Sequence, residues 1–156
     1  MKRTRLDTWP CPIARATDLL GDWWTPVILR NAFLGQRRFD EFQHSLGVPR
    51  AILSRRLARL VEAGLLEKHR YEERPPRYEY RLTEKGRAFW DVLAALWRYG
   101  EDWLFEPGDP PPVALLDRES GRVVRPAVVD EATGQRLDLR KLRVGRPRGV
   151  GVQESN

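Results

Sequence analysis

Apolar residues recur at the spacing of an amphipathic helix in four segments of the first half of the chain. The first predicted helix covers residues 13–20, and the second runs from Thr25, its expected cap, to Gly35. The third and fourth cover residues 40–46 and 49–63, and a glycine follows each of them. The pattern therefore predicts a helical N-terminal body.

The period of the pattern changes after residue 64. Residues 65–71 and 77–82 predict two strands, joined by a charged tip that contains two prolines. Thr83 is expected to cap a last helix over residues 84–104. Helices followed by a two-stranded hairpin are typical of a winged helix-turn-helix, so we predict an α+β fold that is mainly α.

A proline-rich segment at residues 106–112 marks the end of this body, because proline lacks the N–H that a helix interior needs. We predict a domain at residues 1–106, an appendage at 107–144 and a disordered tail at 145–156. The appendage has the pattern of two short β-hairpins whose turns end at Gly121 and Gly134. The expected architecture is a winged body with a small C-terminal β-hairpin appendage.

The chain carries 28 Lys and Arg against 22 Asp and Glu, for a formal net charge of +6 and a pI of about 10.0. Six arginines and two acids lie between residues 35 and 60, so this segment alone carries a formal charge of +4. This distribution favours nucleic acid as a partner, although an acidic protein or an anionic membrane surface fits the same sign.

One cysteine and two histidines limit the available chemistry. They exclude a disulfide within the chain and a Cys/His metal cluster, so no metal is expected. The N-terminus lacks the apolar segment of a secretion signal, and no apolar stretch approaches the ~18–20 residues that span a bilayer. We expect a cytoplasmic protein with no membrane partner. Phosphate-binding loops, nucleophile motifs and paired carboxylates are absent, so neither an enzyme nor a cofactor is expected.

Ordered motifs between Cys11 and Tyr99 carry a family resemblance. They are Cys11-Pro12-Ile13, Leu20-Gly21-Asp22-Trp23-Trp24, Ile28-Leu29-Arg30, Arg38-Phe39-Asp40-Glu41-Phe42, Leu53-Ser54-Arg55-Arg56-Leu57, Leu60-Val61-Glu62-Ala63-Gly64-Leu65, Pro75-Pro76-Arg77-Tyr78-Glu79-Tyr80 and Leu82-Thr83-Glu84-Lys85-Gly86. With these motifs the chain resembles the HxlR-type transcriptional regulators, a winged-helix family related to MarR-like repressors. The resemblance implies a homodimer that binds double-stranded DNA near its own or a neighbouring promoter.

The appendage lies outside the common core of that family and resembles a zinc ribbon. The turns of a zinc ribbon carry paired cysteines, whereas residues 119–121 and 132–134 stand at those positions here and include none. We therefore expect a ribbon without metal ligands.

The helix predicted at residues 49–63 is the candidate for contact with DNA bases. If Leu53, Leu57 and Leu60 face the core, Arg55 faces outward. The base-edge candidates are Arg50, Ser54 and Arg55, the phosphate candidates are Arg56 and Arg59, the cations before the helix are Arg37 and Arg38, and those of the wing are Arg74 and Arg77. The alternatives are an ordinary solvated helix face and a plain exposed turn.

The last predicted helix carries more large aromatic side chains than a small body can bury alone. Exposed apolar patches of this kind are typical of interfaces, so we expect this helix and the first one to form a dimer surface. Its candidate residues are Ile13, Leu20, Trp90, Leu93, Trp97 and Trp103. The alternative is that the appendage folds back and covers this surface.

Cys11 precedes the first predicted helix. In some members of the resembled family a cysteine of this kind senses oxidants or electrophiles, and a helix N-terminus together with Arg15 would favour the thiolate. The alternative is a small buried hydrophobic residue. The expected effector is accordingly an oxidant or a small molecule.

These features together predict a sequence-specific DNA-binding transcriptional regulator, specifically a repressor that acts as a homodimer on a palindromic operator. The alternative is a protein-interaction module that binds an acidic partner through its wing and its β appendage.

Overall fold

The structure is a computed structural model that describes residues 5–145. The chain forms two compact units, Met1–Leu96 and Trp97–Asn156. The elements in chain order are α1 (Pro12–Leu20), α2 (Trp24–Phe33), α3 (Phe39–Leu46), α4 (Arg50–Glu62), β1 (Leu66–Glu72), β2 (Arg77–Leu82), α5 (Glu84–Ala88), α6 (Trp90–Trp103) and a 3-10 helix at Leu139–Lys141. The described residues thus form a mainly helical fold with one antiparallel strand pair, which confirms the predicted class.

Helices α2, α3 and α4 and the start of β1 build the core of the first unit. Its fully buried apolar side chains are Ile28, Leu29, Phe42, Leu53, Leu57, Leu60, Leu65 and Leu66. On α4 these leucines recur every three or four residues, which places them on one face of the helix. Burial of each large aliphatic side chain contributes about 1.5–3 kcal/mol, so this cluster is a main source of stability for the helical body.

The start of α2 differs from the prediction. The helix begins at Trp24, and Thr25 is buried in its first turn instead of capping it. The cap is Asp22, whose Oδ1 accepts hydrogen bonds from the backbone N–H groups of Trp24 at 2.7 Å and Thr25 at 3.1 Å. The predicted Thr25 cap is wrong because a carboxylate further upstream satisfies the free amides of the first turn.

The last predicted helix is divided into α5 and α6 by a turn at the buried Phe89. Thr83 caps α5 as expected, since its Oγ1 accepts a hydrogen bond from the Gly86 N–H at 3.0 Å. Gly86 lies so close to the preceding chain that a Cβ on it would stand 2.0 Å from the Leu65 carbonyl oxygen. Only glycine permits this approach. The apolar pattern did not reveal the turn because Phe89 itself faces the core.

Strands β1 and β2 pair in antiparallel register, as expected for a wing. A further backbone contact joins the chain before α3 to β2. Arg38 forms a bridge with Glu79, and the Tyr80 N–H donates to the Arg37 carbonyl at 2.7 Å. This contact was not predicted, because so short a stretch shows no alternation of apolar and polar residues.

The second unit contains the end of α6 and the appendage. None of its described residues, 97–145, is buried. Each predicted hairpin is present as a single bridge, Leu116 with Val123 and Val129 with Arg136, and not as a pair of strands. Short ladders of this kind are expected where no core supports the pairing.

The two turns of the appendage share one geometry. Oδ1 of Asp117 accepts hydrogen bonds from the N–H and the hydroxyl of Ser120, and Oδ1 of Asp130 accepts the same pair from Thr133. The glycine that follows each turn has a φ near the left-handed region, at 67° and 68°. A carboxylate therefore holds each turn of the appendage.

The division between the units falls inside α6, whereas the sequence placed it at the proline-rich segment. The last turns of α6 belong to the second unit because Asp102 pairs with both Arg98 and Arg125. Arg98 also donates to the Pro126 carbonyl at 3.4 Å. The predicted disordered tail, apart from Gly145, lies outside the described residues.

We predict that Gly86→Ala lowers the free energy of unfolding by about 1–3 kcal/mol, because the added methyl group overlaps the Leu65 carbonyl. Gly100→Ala is the matched control, since Gly100 lies within α6 and a Cβ there meets nothing within 4 Å. The control is expected to leave stability unchanged or to raise it by up to about 1 kcal/mol. Urea unfolding followed by circular dichroism measures both variants, and equal losses would contradict the close approach at Gly86.

Candidate nucleic-acid interface

Helices α3 and α4 form the helix-turn-helix of the first unit. Gly47 ends α3 in the left-handed region, at a φ of 61°, and its N–H donates to the Gln43 carbonyl at 3.0 Å. Val48 then enters the core, and Pro49 occupies the N-cap position of α4. The glycine permits the tight turn, and the buried valine fixes the position at which α4 begins.

The outer face of α4 carries the base-edge candidates. Leu53, Leu57 and Leu60 are buried, whereas Ser54 and Arg55 on the opposite side are exposed. The predicted orientation of this helix is therefore observed. Arg55 forms no hydrogen bond or ion pair with any residue that the structure describes. Its guanidinium group is available to a ligand.

Arg56 and Arg59, expected on DNA phosphates, have other neighbours in the structure. Arg56 Nη1 lies 2.6 Å from Asp22 Oδ2, and the side chains of Arg56 and Asp22 are only 28% and 9% exposed. Arg59 Nη2 donates to the Asp18 carbonyl at 2.7 Å. Arg56 thus holds α4 against the segment that joins α1 to α2, and Arg59 holds it against the last turn of α1. This placement corrects the expectation of two freely exposed phosphate contacts, because tertiary partners already engage them.

Arg50 lies at the junction of α3 and α4. Its guanidinium carbon stands 4.6 Å from the centre of the Phe39 ring, and Nη1 lies 3.5 Å from Asp40 Oδ1. The side chain remains largely exposed. The stacking limits the directions in which Arg50 can extend, which lowers the entropy lost on binding a ligand.

Glu41 holds the chain that carries Arg37 and Arg38. Its Oε2 accepts hydrogen bonds from the backbone N–H groups of Arg37 at 2.8 Å and Arg38 at 2.9 Å. These two bonds are the main reason that the pKa of Glu41 is held below its ordinary value of 4.5. The Arg38 guanidinium stacks 4.9 Å from the centre of the Tyr71 ring, and both arginine side chains are exposed.

A polar network centred on the buried Asn31 joins α2 to α3. Asn31, at 2% exposure, donates through Nδ2 to Gln36 Oε1 at 3.1 Å and to Ser45 Oγ at 2.8 Å. Its Oδ1 accepts from Nε and Nη2 of Arg30. Sequence reasoning missed this positioning residue, although an asparagine within an apolar helical stretch is a signal for such a network.

The wing offers one fully available cation at its tip. Arg77 Nε lies 3.1 Å from Glu72 Oε2, and Arg70 pairs with Glu73 at 3.2 Å, so acidic neighbours compensate these charges in part. Arg74 forms no ion pair within the described residues and is exposed. Of the two wing candidates, Arg74 is therefore better placed to contact DNA.

The predicted dimer residues differ in how far they are exposed to solvent. Ile13 is 77% exposed and Trp103 is 73% exposed, as an interface requires. Trp90 is partly exposed and packs against Phe33, with ring centres 5.2 Å apart. The prediction that Leu93 lies in the dimer surface is wrong, because this side chain faces the core of the first unit and is buried there.

The remaining two dimer candidates are partly buried, and the predicted sensor is exposed. Leu20 packs against the core of the first unit, and Trp97 is half-buried. Cys11 stands at the N-cap position of α1 and is exposed, so the alternative of a buried hydrophobic cysteine is wrong. Within residues 5–145 no cluster of three potential ligand side chains could bind a metal ion. No helix in that range has the length and apolar character that crossing a membrane requires.

The profile of the HxlR-like helix-turn-helix family matches residues 19–107, which include α2 to α6. The chain belongs to the HxlR-like helix-turn-helix family. An uncharacterized HTH-type transcriptional regulator of Mycobacterium tuberculosis is 38% identical over 130 residues, which cover 83% of this chain and 82% of the relative. As a member of the HxlR-like family, the protein is a DNA-binding transcriptional regulator.

Two solved structures distinguish the family core of this HxlR-like regulator from its appendage. The crystal structure of PA1607, a candidate transcription factor, has a TM-score of 0.84 and 41% identity, and the match covers 92% of this chain and 100% of PA1607. The redox regulator HypR in its reduced form has a TM-score of 0.56 and 27% identity, with 59% of this chain and 92% of HypR covered. The winged body is thus common to both, and the appendage has a counterpart in PA1607.

We predict that Glu41→Ala lowers the free energy of unfolding by about 0.5–1 kcal/mol at pH 7, because two backbone N–H groups lose their acceptor. The pKa of Glu41 is lower in the folded than in the unfolded state, so the carboxylate stabilises the fold above about pH 4.5. The difference between the variant and the parent is expected to disappear as the pH falls through the lowered pKa. Thermal unfolding between pH 3 and pH 7 measures this loss.

Glu41→Gln is the control, because the amide keeps an oxygen acceptor at the same position but does not titrate. The free energy of unfolding of Glu41→Gln should approach that of the parent at low pH. It should fall below that of the parent only near neutrality. A deficit of Glu41→Ala that stays constant from pH 3 to pH 7 would contradict the role of the ionised carboxylate.

Proposed function

We propose that this HxlR-like regulator is a repressor that binds a palindromic operator as a homodimer. The observation that carries the proposal is the outer face of α4, where Arg55 is exposed and unpaired within the described residues. A guanidinium on the exposed face of the second helix of a helix-turn-helix matches the O6 and N7 atoms of guanine, the commonest specific contact in the major groove. Ser54 and Arg50 complete the candidate base-contacting set.

The surrounding cations fit contact with the sugar-phosphate backbone. Arg37 and Arg38 are exposed at the start of α3, and Arg74 is exposed at the wing tip. Contacts of this kind position the protein without selecting a sequence. Arg77 contributes less in this proposal because Glu72 offsets its charge, and Arg56 and Arg59 act within the protein.

Exposed apolar side chains support the proposed dimer. Ile13 on α1 and Trp103 on α6 would each expose a large apolar surface to water in a monomer. A two-fold dimer would set two copies of α4 about 34–36 Å apart, one turn of the double helix. Bound in this way at a promoter, the protein would exclude RNA polymerase. A DNA partner supports the proposed location in the cytoplasm.

The position of Cys11 supports a second proposal, that oxidation of this residue regulates the protein. HypR, with which this chain shares the winged body, is a redox regulator. Cys11 is exposed directly before α1, so an oxidant in solution can reach its thiol. In the proposed dimer, α1 would carry a modification of Cys11 directly to the interface.

Selection of bound sequences from a random duplex pool tests the proposed function, and an inverted repeat is the expected result. On that operator, Arg55→Ala should lose about 1–3 kcal/mol of binding free energy and relax the preference at one base pair of each half-site. Its stability should change by less than about 0.5 kcal/mol, since no described residue pairs with Arg55. Competition binding against single-base variants of the operator measures the specificity.

Arg56→Ala is the matched control on the neighbouring position. It should lower the free energy of unfolding by about 1–3 kcal/mol, because the Asp22 carboxylate is left without its cation. The folded fraction should retain the base preference of the parent. Loss of base preference in Arg56→Ala with an unchanged preference in Arg55→Ala would show that the proposed orientation on DNA is wrong.

We predict that Ile13→Glu dissociates the dimer and weakens binding to the palindrome by at least tenfold, because a charge at an apolar interface loses its hydration. Leu34→Glu is the control, since Leu34 is 76% exposed and Ile13 is 77% exposed, but Leu34 lies outside the proposed interface. Sedimentation velocity gives the mass of each variant. An intact dimer of Ile13→Glu would place the interface elsewhere.

A further inference from the structure

A cavity of about 900 Å³ opens beside α1 and α4 in the first unit. Residues Arg15 to Leu19 of α1 form one wall, and residues Arg55 to Glu62 of α4 form another. Lys85 at the start of α5 and residues Arg5 and Asp7 complete the lining. The volume lies in the range of pockets that bind small organic molecules.

The lining of this cavity carries more cationic than acidic side chains. Its lining includes five cationic side chains, Arg5, Arg15, Arg55, Arg59 and Lys85, and three acidic ones, Asp7, Asp18 and Glu62. Arg5 pairs with Asp7. Among the described residues no ion pair engages any of the other four cations.

Backbone carbonyl groups orient three of these cations. Arg15 Nε donates to the Trp9 carbonyl at 2.6 Å, and Arg59 Nη2 donates to the Asp18 carbonyl at 2.7 Å. Lys85 Nζ donates to the Ala63 carbonyl at 2.7 Å. A neutral carbonyl fixes the direction of a cationic side chain without cancelling its charge. The charged groups are therefore arranged before any anion arrives, which lowers the entropy lost on binding.

The remaining lining is apolar. Ala16 and Leu19 of α1 face Ala58 and Ala63 across the cavity. Small side chains at three of these four positions leave room for a flat apolar group between the helices. A ligand could therefore place an anionic group near the cations of the lining and an apolar body against the apolar side chains.

We propose that this cavity binds a small organic carboxylate with a flat apolar body. Arginine forks bind carboxylates through paired hydrogen bonds, and the cavity presents Arg15 and Arg55 on facing helices. The site is separate from the proposed dimer surface, because Arg15 and Ile13 are two positions apart on α1 and point to different sides of the helix.

The site would regulate DNA binding through Arg55, and this part rests on the proposed function. Arg55 lines the cavity and is also the candidate base contact. A carboxylate that engages Arg55 removes it from the DNA, so the ligand and the operator compete. By linkage, DNA weakens binding of the carboxylate by the same factor.

Equilibrium dialysis of the full chain without DNA tests the site directly, with 2-naphthoate as the probe and 2-naphthamide as its neutral counterpart. Saturable binding of 2-naphthoate, at least tenfold tighter than that of 2-naphthamide, is expected. Lys85→Gln and Arg15→Gln should each weaken 2-naphthoate at least fivefold. Equal affinity for the two probes, or no saturable binding of 2-naphthoate, would overturn the proposal.

Arg87→Gln is the matched control for Lys85→Gln. Both residues lie on α5 and donate to a backbone carbonyl, but Arg87 contacts the Leu82 carbonyl, at 2.8 Å, and lies outside the cavity. Binding of 2-naphthoate should be unchanged in this variant. An equal loss in Arg87→Gln would show that the probe responds to net charge alone, which contradicts a defined site.

Titration of 2-naphthoate into the complex with selected DNA separates this inference from the proposed function. The probe should release DNA from the parent protein, and Lys85→Gln should require at least fivefold more probe. Binding of 2-naphthoate by a chain that does not bind DNA would overturn the proposed function and leave the cavity site standing. If Lys85→Gln weakened binding to every DNA sequence in the absence of the probe, the cavity would be part of the DNA-binding surface. The proposal would then be wrong.

Discussion

The Asp22 carboxylate is the contact on which the arrangement of the first unit depends. One of its oxygens accepts two N–H groups at the start of α2, and the other pairs with Arg56 on α4. Because the Asp22 side chain is only 9% exposed, water cannot replace Arg56 at low cost. The same carboxylate therefore begins one helix and fixes the rotation of another. The exposure of Arg55 on the outer face of α4 follows from that rotation.

The arginines near the helix-turn-helix have two physical roles. Arg56 pairs with a carboxylate, so its charge contributes to packing and little to the outer field, whereas Arg59 is oriented by a neutral backbone carbonyl and keeps its charge. Arg55 has no described partner, and Arg50 stacks on an aromatic ring while its guanidinium stays exposed. A positive patch defined by counting arginines would include all four. The proposed DNA-contacting surface is smaller and lies toward the start of α4, the end of the helix that enters the major groove in helix-turn-helix proteins.

The second unit is organised by hydrogen bonds more than by burial, since none of its described residues is buried. In the first turn, the hydroxyl and the N–H of Ser120 hold the pKa of Asp117 below its ordinary value. Asp130 has the same arrangement with Thr133. Small β units without a core depend on such local contacts, or on a metal, for their shape. The counterpart of this unit in PA1607 shows that it is not peculiar to one chain.

The sequence by itself determined the helices, the wing and the inward face of α4, because periodicity and glycine or proline boundaries are local properties of the chain. It also determined the family, whose motifs lie in order along the first unit. Tertiary structure alone decided that Asp22 caps α2, that Arg56 is engaged within the protein and that Leu93 is buried. It likewise decided that Arg38 bridges to the wing. Each of these outcomes depends on which distant group comes within hydrogen-bond or packing distance, and a charged or apolar residue carries no local sign of that partner.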